Sequence, residues 1–110
     1  MSLSSTQQEF TYHIAQLIAY SQLLDYGLTF GDAYRDEETR SRRGHPDSNH
    51  GRRLAVDFNL FIDGEYQTSS EAHAPLGYMW KSLHPDNVWG GDFDKPDGNH
   101  YSRRYKDYTV

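Results

Sequence analysis

Apolar and polar positions along the chain recur with two different periods. Phe10, Ile14, Leu17, Ile18 and Leu24 follow a roughly helical stripe, with Tyr20 near its edge. Thr6 and Glu9 stand three apart before it, as in a capping box, and Gly27 is a natural C′ stop. The spacing predicts a first helix. "LTFGDAYR" (28–35) reads as a short strand, and Asp36 can cap a single turn through "EETR". Residues 41–53 are polar and carry Gly44, Pro46 and Gly51, which reads as a loop. The strongest strand is "LAVDFNLFI" (54–62), where Val56, Phe58, Leu60 and Ile62 alternate with Asp57, Asn59 and Phe61. "DG" at 63–64 suggests a hairpin returning through Glu65–Gln67.

A second helix follows, with Ser69 or Ser70 as its cap and Leu76, Met79, Trp80 and Leu83 on one side. Pro75 is tolerable in its first turn. "HPDN" and "KPDG" read as turns, "VWGGDF" as a short strand and "NHYSRRY" as a final one. The pattern is α+β: two principal helices against a small, mainly antiparallel sheet. At 110 residues, one domain spanning 1–110 is expected.

Composition narrows the chemistry. Only 35% of residues are hydrophobic and the mean hydropathy is −0.92, so the core is thin. Aromatic residues, nine of them tyrosine, partly compensate, and a bound metal is another common aid to so small a domain. The net charge of −5 argues against a nucleic-acid partner. "RSRRG" (40–44) is a local basic cluster, read either as a solvated loop or as a contact for an anionic substrate. There is no cysteine, which excludes disulfides, thiolate metal sites and cysteine nucleophiles. No apolar run is long enough to span a membrane. "MSLSSTQQ" lacks the basic and apolar regions of a signal peptide, so synthesis in the cytoplasm is expected, with no membrane partner.

Six histidines are many for this length. His13, His45, His73 and His84 read as surface or capping residues. His50 and His100 differ, because one precedes the strongest strand and the other opens the last. Asp57 lies within that strand, where a lone buried carboxylate is costly unless it is paired or bound to a cation. The bland reading places Asp57 on a solvent face. The metal reading has His50, Asp57 and His100 converging as two nitrogens and one oxygen, with a fourth position open, the form of a catalytic zinc site. Asp97 stands three residues before His100, able to reach the attacking water as a general base without being a ligand.

"SNHGRRLAVDF", then "WGGDF", then "DGNH" resemble the zinc D-Ala-D-Ala carboxypeptidase and L-alanyl-D-glutamate endopeptidase family, in particular its compact phage endolysin-type branch. The shared signature is S-x-H-(six residues)-D followed by D/E-x-x-H, and the likeness covers residues 23–104. It implies the hedgehog/D-Ala-D-Ala-peptidase-like fold, one zinc ion held by His50, Asp57 and His100, and Asp97 as the catalytic acid/base. Arg35 matches the arginine that holds the substrate or polarises its carbonyl. Ser48 matches the serine of the motif, near substrate or ligands, and Trp89 helps to shape the site. The implied reaction is hydrolysis of a peptide bond in the stem peptides of bacterial peptidoglycan by a monomer that reaches the wall after release from the host cytoplasm. A D-alanyl-D-alanine carboxypeptidase and a non-catalytic zinc-binding phage module are the alternatives. Three departures stand out: Arg53 occupies a position where the family often has glycine, Tyr101 one where it has phenylalanine, and Asp36 one where threonine is common.

Overall fold

The computed structural model describes residues 2–32 and 49–106. Arg35 and Ser48, the basic cluster at 40–44, and the turn expected from Asp36 lie outside the described residues. The first helix, α1, spans Leu3–Leu23 and begins earlier than the capping-box reading placed it. Ser2 is the cap, its hydroxyl accepting the Ser5 N–H at 3.1 Å. Thr6 is already helical and donates its hydroxyl back to the Ser2 carbonyl. The helix ends not at Gly27 but just before Asp25, which takes the left-handed conformation with φ 60°. Aspartate tolerates that region better than most residues, and Gly27 falls instead within strand β1, Tyr26–Phe30.

After a 3-10 turn at Asn49–Arg52, strand β2 runs Ala55–Ile62. Asp63 and Gly64 both have positive φ, as a tight two-residue hairpin turn requires, and the chain returns as β3, Glu65–Tyr66. A 3-10 turn at Glu71–His73 leads into α2, Ala74–Leu83, with Pro75 in its first turn. Strand β4 is Asn87–Trp89, followed by a 3-10 turn at Gly90–Asp92, and β5 is His100–Arg103. The sheet is antiparallel in the order β1-β2-β5-β4, with β3 beside β2. The expected α+β architecture is therefore observed.

Both helices cover the face of the sheet that carries Val56, Phe58 and Tyr101. Phe10 of α1 and Tyr101 of β5 each meet Trp80 of α2 edge to face, at 5.6 and 6.3 Å between ring centres. Trp80 is fully buried and donates its indole N–H to the Val88 and Ser102 carbonyls, both at 3.0 Å. Arg103 then ties the end of β5 to α1 through Glu9 at 2.6 Å. With one face of the central strands sealed by aromatic packing, the other face is left to carry Asp57 and His100.

Candidate metal centre where β2 meets β5

The register of β2 against β5 pairs Asp57 directly with His100. Asp57 turns its backbone the other way: its N–H donates to the Asp32 carbonyl (2.6 Å) and its carbonyl accepts the Gly31 N–H (2.7 Å). Asp57 and His100 thus form a non-hydrogen-bonded cross-strand pair, the kind whose side chains approach most closely. His100 Nδ1 lies 3.3 Å from Asp57 Oδ1. Both residues are buried, at 8% and 5% exposure, so Asp57 is not on a solvent face. The ring of Phe93 packs against His100 at 5.5 Å.

Asp97 joins this pair. One ligand atom from each of Asp57, Asp97 and His100 can be chosen so that all lie within 4.8 Å of one another, and the group can hold a metal ion. The donor set suits a small divalent cation, since imidazole nitrogen and carboxylate oxygen both bind zinc. Two ligands about 2.0 Å from a tetrahedral ion sit about 3.3 Å apart, which is the separation seen between His100 and Asp57. Asp57 and His100 form the buried floor of the cluster, and Asp97 is its exposed edge.

The loop bearing Asp97 is tightly held. The Asp97 N–H donates to the Gly90 carbonyl at 2.9 Å, and the Asp97 carbonyl accepts the His100 N–H at 3.1 Å. Trp89 donates its indole N–H to the Gly98 carbonyl at 2.7 Å. Trp89 is 5% exposed, with its ring against Gly77 of α2. Its bearing on the site is thus as the wall that fixes the loop. His50 begins the second residue of the Asn49–Arg52 turn, whose Asn49 carbonyl accepts the Leu54 N–H at 2.8 Å; the His50 side chain lies outside the described part of the structure. Arg53 takes φ 57°, the left-handed conformation that a glycine adopts freely.

Two polar contacts, one on the helix-covered face of β5 and one at the Asp97 loop, have no obvious signal in the sequence. His73, expected as a capping or surface residue, is 3% exposed, with Nδ1 2.8 Å from the Tyr101 hydroxyl. Burial pushes the His73 imidazole down to about 4 and the Tyr101 phenol upward, so both are neutral at pH 7. Ser70 accepts the Gly98 N–H on its hydroxyl at 2.8 Å. Gly98, read from the sequence only as part of the "KPDG" turn, is what permits the close backbone approach there. No protein-family model matches the chain, and no curated protein matches it.

Proposed function

We propose that the chain is a zinc-dependent peptidase acting on the stem peptides of bacterial peptidoglycan, an endolysin-type endopeptidase cleaving next to L-alanine. The observation that carries this reading is the convergence of Asp57, Asp97 and His100 from β2, a loop and β5. The order of burial supports catalysis over a purely structural metal. Two members are sunk in the sheet, and a third carboxylate stands at the exposed edge, where a substrate peptide can approach.

On this reading Asp57 and His100 hold the ion together with His50. Zinc, when bound, lowers the pKa of an attached water toward ~7 and polarises a carbonyl. Asp97 accepts the proton of the attacking water and returns it to the departing amine. Arg35 steadies the negative charge that develops on the carbonyl oxygen. Trp89 and the Gly90 carbonyl hold the Asp97 loop against the sheet, so the carboxylate is in place before substrate arrives.

The test is mass spectrometry of fragments released from purified peptidoglycan, with and without a chelator. Chelator-sensitive release of fragments beginning at D-glutamate supports the proposal, whereas release of free D-alanine indicates a carboxypeptidase. Asp97→Ala should keep its metal and lose at least about a hundredfold in rate, the usual range for a general base. Undiminished hydrolysis by Asp97→Ala overturns its assigned role, and loss of metal makes Asp97 a ligand instead.

A further inference from the structure

Two adjacent serines precede α2, and they do different work. Ser69 accepts the Ala72 N–H on its hydroxyl at 3.2 Å, which supplies the cap that starts the helical segment. Ser70 has no side-chain capping bond. Its hydroxyl crosses to a segment 28 positions away and takes the Gly98 N–H. The two backbones meet there. A Cβ on Gly98 would lie 2.5 Å from Ser70 Cα and 2.8 Å from Ser70 Cβ, so only glycine lets the loop come this close.

From this geometry we infer that Ser70 is a positioning residue for the metal cluster, holding Asp97 in place through Gly98. The peptide between Asp97 and Gly98 is pinned at both of its polar atoms: its carbonyl accepts from His100 and its N–H donates to Ser70. The following carbonyl is taken by Trp89, and the preceding N–H by Gly90. Three of these four anchors come from the β4–β5 region itself. Ser70 is the one that links the loop to the start of α2. Asp97 is the exposed member of the cluster, and where its carboxylate can reach beside Asp57 and His100 depends on where its backbone is held. Removing the hydroxyl leaves the Gly98 N–H without its acceptor and frees the loop on the helix side.

The inference rests on the reading of Asp57, Asp97 and His100 as a metal centre, and its test separates the two. Cobalt(II) is titrated into the metal-free wild type, Ser70→Ala and Ser69→Ala, following visible absorption. Hydrogen exchange at the Asp97 and His100 amides is measured in the same metal-free proteins. Ser70→Ala should bind cobalt at least about tenfold more weakly, because the freed Asp97–Gly98 peptide also holds the ligand His100 by its N–H, and exchange both amides about tenfold faster. Ser69→Ala, which loses a cap but not the tether, should melt a few degrees lower with cobalt affinity and both exchange rates unchanged. Wild-type affinity together with wild-type exchange in Ser70→Ala overturns the inference. A wild-type protein that takes up no cobalt refutes the metal centre instead, and the exchange rates still decide whether Ser70 holds the loop.

Discussion

Gly90 is where the cluster can be broken without altering a ligand. Its carbonyl accepts the Asp97 N–H, so it already touches the loop through its backbone. A Cβ at this position would overlap the Asp97 carbonyl oxygen and lie 2.8 Å from the Cβ of His100, where ordinary contact begins at 3.4 Å. Clearing His100 takes about 0.6 Å, and clearing the Asp97 carbonyl takes a larger movement of the loop or of the Gly90 turn. Gly90 is not among the residues with positive φ, so the effect is steric and not a matter of backbone strain. Metal sites hold their ligands to about 0.2 Å, so a shift of this size should weaken binding by about ten- to a hundredfold. Overpacking should also lower stability by about 1–3 kcal/mol, with each kcal/mol worth about 4–8 °C in a domain of this size. The assay is thermal denaturation of Gly90→Ala in a chelator, paired with a cobalt titration. The fall in melting temperature should appear without metal, because the clash is with protein atoms. A variant that melts with the wild type in chelator and binds cobalt equally well would refute the argument that Gly90 braces Asp97 and His100.

Two further outcomes follow from the described residues. His73 has its pKa lowered from 6.5 to about 4 by burial, so between those values the unfolded chain binds a proton that the folded chain does not. Stability should therefore fall as the pH drops below 6.5, by about 2 kcal/mol from this residue at pH 5. His13 is shifted in the same direction, so the check is a comparison of wild type with His73→Asn by chemical denaturation from pH 7.5 to 5; parallel curves would show that His73 contributes nothing. At Arg53, with φ 57°, Arg53→Val should be less stable than Arg53→Asn by about 1–3 kcal/mol, because a β-branched side chain is strained there and asparagine is not. Equal melting temperatures for the two variants would mean that the turn relaxes to another conformation.

Periodicity carried the architecture because it reports burial element by element. The alternation in 54–62 placed Asp57 opposite Val56 and Phe58, and β2 does present them so. What alternation cannot report is whether the second face meets solvent. Asp57 is buried because Gly31 and Asp32 continue the β1 edge alongside it and His100 faces it from β5. The motif spacing brought His100, Asp57 and Asp97 into one hypothesis. Their meeting depends on the β2–β5 register, which strand pairing fixes and sequence separation does not.

The misreading of His73 and the unforeseen partner of Ser70 have a common physical origin. Each lies at the start of a helix, where a polar side chain has an adequate local use as a cap, and local use is what a sequence pattern can weigh. Each is instead committed to a partner 28 positions away, Tyr101 for His73 and Gly98 for Ser70. Ser69 satisfies the local demand, which releases its neighbour for the long-range bond. Arg53 shows the converse. Against the family that the sequence resembles it reads as a departure, yet its φ of 57° is the conformation for which glycine is favoured. The chain keeps the bend of the turn carrying His50 and adds a long side chain, which lines an apolar cleft with Phe10, Ile14 and Phe30. The turn shape and the residue identity thus answer to separate constraints.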